Sequence, residues 1–197
     1  MNPLNTVNGT IIAGVVLAVV IALVTMGTNL NIASLVVWIH VLAGVTWIGL
    51  LYYFNFVQVP ALAEAAADEG GPGGAGITKY VAPRALWWFR WGALVTWLSG
   101  AGYLLELGLL DDAFMLGGGG GAGLLIGVGA WFGTIMLFNV WVLIWPNQKK
   151  VLGLVEATAE EINKARRVAF LASRTNTLLS IPMLMSMVGY GHGGFFI

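Results

Sequence analysis

ASLVVWIHVLAGVTWIGLLYYFNFV, residues 33–57, decides how the whole chain is read. No charged side chain interrupts this stretch. As an α-helix at 1.5 Å per residue it rises about 37 Å, more than the roughly 30 Å of hydrocarbon in a bilayer. Four further stretches share its length and apolar character, 9–26, 85–107, 123–145 and 168–190. The expectation is an all-α integral membrane protein, one domain over residues 1–197, built as a bundle of five transmembrane helices. The first stretch lacks a basic flank and a small-residue cleavage site, so it is read as a retained helix rather than a removed signal.

Composition agrees with that reading. Of 197 residues 58% are hydrophobic and 9% charged, against about 25% charged in a soluble domain, which rules out a water-soluble globule. Nine acidic and nine basic side chains cancel, so no nucleic-acid surface is indicated. Cysteine is absent, which excludes disulfides, thiolate metal sites, a cysteine nucleophile and covalently attached c-type haem. Glycine, 28 residues, and tryptophan, nine, suit close helix packing and membrane interfaces respectively.

Between the spans lie polar or glycine-rich connections: Asn29 and Asn31, a 60–83 loop containing Gly70–Gly76, an acidic turn at Asp111 and Asp112, and a charged 147–167 segment. Within that segment Glu160 precedes Lys164 by four residues, as on an exposed helix leading into the fifth span. Threading five spans places Lys79, Arg84, Lys149, Lys150, Lys164, Arg166 and Arg167 on the side of the N-terminus. Arg90 and Arg174 fall in the first turns of spans that start there. The positive-inside rule then makes the N-terminus cytoplasmic and the C-terminus external.

Two histidines exist, His40 and His192, and this threading puts both toward the external side. His40 lies nine residues past Asn31, a depth of about 13 Å along a helix. An ionisable residue at that depth is a functional-site candidate. Gly44 at i+4 leaves space on the same face for a flat macrocycle, and Trp47 follows at i+7. His192 sits among glycines 189, 191, 193 and 194. Imidazoles from two helices suit a bis-histidine haem b, with Trp38, Tyr103 or Tyr190 as hydrogen-bond donors to its propionates; a plain interhelical hydrogen bond is the other reading. Met183, Met185 and Met187 add thioethers, a set suited to copper(I), although alternate helical positions do not share one face. Arg90 and Arg174 either snorkel to lipid phosphate or, with Asn139 and Asn176, hold an anionic or quinone headgroup. Gly123, Gly127, Gly129 and Gly133 predict close helix contact. No nucleophile, carboxylate pair or other catalytic set emerges.

Several strings resemble the membrane domain of bacterial membrane-bound urate oxidase: WIHVLAGVTWIGLLYYFN at 38–55, RWGA at 90–93, WFGTIMLFNVWVLIWPNQKK at 131–150 and SRTNTLLSIPM at 173–183. In that family a cytochrome c domain follows the membrane domain. The sequence ends at Ile197 without that module, so the resemblance implies a redox role in which a separate periplasmic cytochrome c or a larger membrane complex exchanges electrons. It carries over His40, His192 and the Arg174–Asn176 motif, and a place in the bacterial inner membrane. The expected function is haem b-mediated electron transfer at the external face, alone or as a respiratory or oxidase subunit. The alternatives are a copper-binding membrane protein, or a non-redox accessory subunit whose glycine-lined fourth span docks a larger enzyme.

Overall fold

The computed structural model describes residues 2–118 and 122–194. It is all-helical, with no strand among the described residues. Two compact units are distinguished, Met1–Ile32 and Ala33–Ile197.

The first unit is essentially one helix, α1 (Val7–Met26). Thr6 starts it by accepting a hydrogen bond from the Gly9 amide at 3.0 Å, and Gly27 ends it with φ of 86°, a conformation glycine adopts without penalty. No side chain of α1 is buried, and its mean hydropathy is 2.6.

The second unit is built from α2 (Ile32–Tyr52), α3 (Val59–Ala67), α4 (Ala82–Glu106), α5 (Leu110–Phe114), α6 (Ala122–Phe138), α7 (Trp145–Val151) and α8 (Ala159–Gly191). Three π-helical turns join or precede them, π1 (Tyr53–Gln58), π2 (Ile77–Val81) and π3 (Asn139–Ile144). Each ends two residues before a proline: Pro60, Pro83 and Pro146. Proline has no N–H to donate, and its ring crowds the carbonyl four residues back. Widening the preceding turn relieves that crowding and lets the helix continue. The chain therefore runs as one helix from Ile32 to Ala67 and another from Gly123 to Val151.

That continuity corrects two sequence expectations. The 60–83 connection shrinks to residues 68–74, because α3 carries the helix on from π1 through Pro60 to Ala67. The charged 147–167 segment is helical through Val151 and again from Ala159. All five predicted stretches lie in helices, Leu107 falling just past the end of α4. Among the described residues three helices, Val7–Met26, Ile32–Ala67 and Gly123–Val151, are long and apolar enough to cross a membrane. α4 and α8 have the length, 25 and 33 residues, but α4 carries Arg84, Arg90 and four tryptophans, and α8 carries Arg174, Asn176 and a charged first half.

The core forms where Trp47, Leu51, Phe54, Phe89, Ala93, Met136, Val140 and Met183 meet. α8 contributes a stripe of small residues at helical spacing, among them Ala165, Ala169, Ala172, Ser180, Ser186 and Gly189, all buried. Small side chains let neighbouring backbones approach, which is how helices associate when lipid competes for apolar contact. The α6 glycines play the same part. A Cβ on Gly127 would collide with the Ala113 carbonyl of α5, and one on Gly129 would stand 3.1 Å from Ser186 Oγ. Gly133 faces Met183 Sδ. Asp111 and Asp112, expected as an acidic turn, form the first turn of α5.

α8 starts with a capping box. Glu161 N–H donates to Thr158 Oγ1 at 3.2 Å, and Thr158 N–H donates to Glu161 Oε2 at 2.8 Å. Lys150 of α7 pairs with Glu161 at 3.5 Å. The Thr158 amide, and then Lys150, hold the Glu161 carboxyl below its ordinary range.

Two outcomes follow from this packing. Gly127→Val should destabilise the protein by about 1–3 kcal/mol through overpacking, whereas Gly49→Ala, with open space at its Cβ, should be neutral; thermal unfolding in detergent compares them. Because the folded carboxyl titrates below its unfolded value, the Glu161 cap persists above the unfolded pKa and is lost as pH falls through the folded one. The protection factor of the Thr158 amide, which donates to that carboxylate, should therefore fall on acidification, and this fall should vanish in Glu161→Gln.

Candidate functional site

Polar groups buried in an apolar bundle are costly unless they find partners inside it. Two such places stand out. One is a polar seam where π1 and π3 face α8. Asn55, 3% exposed, donates from Nδ2 to the Leu51 carbonyl and to Ser173 Oγ, each at 2.8 Å. Asn139 donates from Nδ2 to Asn176 Oδ1 at 2.8 Å, and Asn176 Nδ2 donates to the Met136 carbonyl at 3.0 Å. Asn176 is fully enclosed. Tyr52 and Ser180 share a hydroxyl–hydroxyl bond at 3.0 Å, and Ser180 donates onward to the Thr177 carbonyl.

The other place is His40. Its Nδ1 lies 2.8 Å from the Thr96 carbonyl of α4. A carbonyl oxygen only accepts, so Nδ1 carries the proton, and Nε2 is the nitrogen left with a lone pair when the ring is neutral. Gly100 makes room: a Cβ there would stand 2.8 Å from the imidazole Cε1. Thr96 and Gly100, i and i+4 on α4, thus hold the ring edgewise. Neither is marked in the sequence, because each acquires its role only from His40 on the facing helix.

The remaining expected site residues fall differently. Gly44 faces Thr96 Cγ2, 3.7 Å from where its Cβ would be. Trp47 is 1% exposed and packs on Gly92. The face His40–Gly44–Trp47 is thus applied to α4, and the space beside Gly44 is bordered by Thr96. His192 is exposed just past the last turn of α8, with Nδ1 donating to the Val188 carbonyl of its own helix at 2.9 Å. The two histidines share no contact among the described residues, where no group of three or more histidine or carboxylate side chains gathers. Met183 is buried, Met185 is 48% exposed and Met187 abuts Gly129, so the three thioethers do not converge.

Arg174 does not join Asn176. Two residues apart on a helix they point about 200° apart; Arg174 is exposed over the Phe170 ring at 5.2 Å. Arg90 stacks on the Trp145 ring at 3.8 Å, tying α4 to α7. Gly127 faces α5, and Gly129 and Gly133 face α8, so the close contacts expected of these glycines are made within the chain.

These contacts define a helical membrane domain knitted together by internal polar bonds. The sequence model of one family, described as urate oxidase N-terminal, matches residues 114–196. The likeness expected from the 131–150 and 173–183 strings is therefore shown across α6, π3, α7 and α8, the elements that supply Asn139, Ser173, Asn176 and Ser180. Residues 38–55, with His40, lie outside the matched stretch. No curated protein and no solved structure matches the chain.

A double-mutant cycle on Asn139→Ala and Asn176→Ala should return a coupling of about 0.6–1.7 kcal/mol, the range for interhelical hydrogen bonds in a bilayer. Zero coupling would show that the bond contributes nothing.

Proposed function

We propose that the chain is a five-span protein of the bacterial inner membrane, with a cytoplasmic N-terminus and an external C-terminus. In this reading α1, the two π-broken helices, α4 and α8 are the spans. Its function is electron transfer through a b-type haem held by His40, either alone with a periplasmic cytochrome c or within a larger membrane complex. The similarity to the urate oxidase N-terminal family supports a membrane-domain role.

One observation carries the haem reading: the Nδ1–H bond from His40 to the Thr96 carbonyl. Ligating histidines commonly donate their other ring N–H to a backbone carbonyl, which fixes the tautomer and raises the basicity of the ligating nitrogen. His40 fits one axial position in that sense. His192, bonded only to its own helix, has the same tautomer but does not meet His40. Support for an axial ligand is therefore found at His40, whose bond crosses between helices, while His192 has only a bond within its own helix. Haem iron, when bound, supplies one-electron chemistry. The protein's part is to orient the ring through Thr96 and to keep Gly100 small enough to admit it.

Protein purified from a haem-replete host should show Soret and α bands in a reduced-minus-oxidised spectrum. His40→Ala should abolish them and His192→Ala should retain them. Gly100→Val, which keeps the imidazole but fills its cradle, should shift or weaken the bands. A colourless wild-type preparation would overturn the assignment.

A further inference from the structure

Between α2 and α4 runs a surface groove whose two clefts both include Trp88 in their walls. The larger, about 520 Å³, is bordered by Leu50, Tyr53, Tyr80 and Arg84. The smaller, about 280 Å³, is bordered by Ala43, Thr46, Trp91 and Val95. From Arg84 to Val95 the helix rises about 16 Å, the length of a good part of an acyl chain. Its walls are aromatic and aliphatic, and its charge is concentrated at one end.

That end is cationic. Arg84 is exposed and spends one Nη1 hydrogen bond on the Tyr80 carbonyl at 2.7 Å. Lys79 sits over the Tyr80 ring at 5.5 Å. Neither cation forms an ion pair among the described residues, where the recorded pair is Lys150–Glu161. Two cations without carboxylate partners, at the mouth of an apolar groove floored by tryptophan, complement a molecule with an anionic head and a hydrocarbon tail. Basic pockets between helices at an interface hold lipid phosphates on this principle.

We propose that this groove is a binding site for an anionic phospholipid, with its phosphate at Arg84 and Lys79 and one acyl chain laid along Trp88 toward Val95. The site rests on the five-span reading only in that α4 must lie in the bilayer. It is independent of haem.

The full chain is reconstituted in bilayers doped with dibrominated phosphatidylglycerol or with dibrominated phosphatidylcholine of identical chains, and tryptophan quenching is read. The difference between wild type and Trp88→Phe isolates the Trp88 signal. Phosphatidylglycerol should quench that signal preferentially. Arg84→Ala should lower the preference about fivefold, the change expected for one cation at an anionic surface, and Arg84→Lys should restore it. Thr46→Phe, which fills the smaller cleft, should reduce quenching by mid-chain bromine. Equal quenching by both lipids, or a preference untouched by Arg84→Ala, would overturn the site while leaving the five-span reading intact. A Trp88 signal quenched by neither lipid would overturn both.

Discussion

Asn176 is the residue on which the second unit turns. It has no exposed surface, and its amide must satisfy a donor and an acceptor within a bundle that offers neither water nor charge. It takes a hydrogen bond from Asn139 and gives one to Met136, so two points on the α6–π3 helix are pinned to one point on α8. Sliding α8 by one turn would break both bonds and leave three amide groups buried without partners. Apolar contacts alone would not specify that register, since lipid chains compete with them on nearly equal terms.

The π turns belong to the same constraint. Asn139 opens π3 and Asn55 lies within π1. Both therefore sit where the helix is wider than an α-helix, and both are turned onto α8. The prolines that follow cause the widening, and the asparagines exploit the altered direction. A helix broken near a proline inside a membrane is tolerated when neighbouring polar side chains satisfy the local hydrogen-bonding groups, and Asn55 does so for the Leu51 carbonyl. On α8 small residues do the complementary work, since alanine, serine and glycine let the broken helices come close enough for asparagine to reach.

Much of this is legible in the amino-acid sequence. Helix positions followed from apolar length, and the α6 glycines announced close contacts that the structure places against α5 and α8. What stayed hidden depends on facing partners. A proline in an apolar run reads as a boundary, whereas Pro60 and Pro146 lie inside continuous helices because the preceding turn widens. The pairing of Asn139 with Asn176 was seen as proximity to Arg174, because a string of adjacent residues hides that alternate positions point apart. At His40 the residue was evident, while its holders Thr96 and Gly100 lie 56 and 60 positions away and carry no mark of the role by themselves.

The two polar places differ in what they leave unsatisfied, and that difference separates structure from chemistry. Asn176 is used at both ends of its amide, and Asn55 spends both amide hydrogens, so the seam is a fastening. His40 is held by one nitrogen while the other has no hydrogen bond in the structure. If the imidazole served only to join α2 to α4, a serine or threonine could make the same bond to the Thr96 carbonyl without needing a glycine opposite. Gly100 offers space for a whole ring, and a ring so placed keeps one basic nitrogen in reserve. That spare nitrogen is what supports the role proposed for His40 at the α2–α4 seam, beside the aromatic groove that ends near Val95.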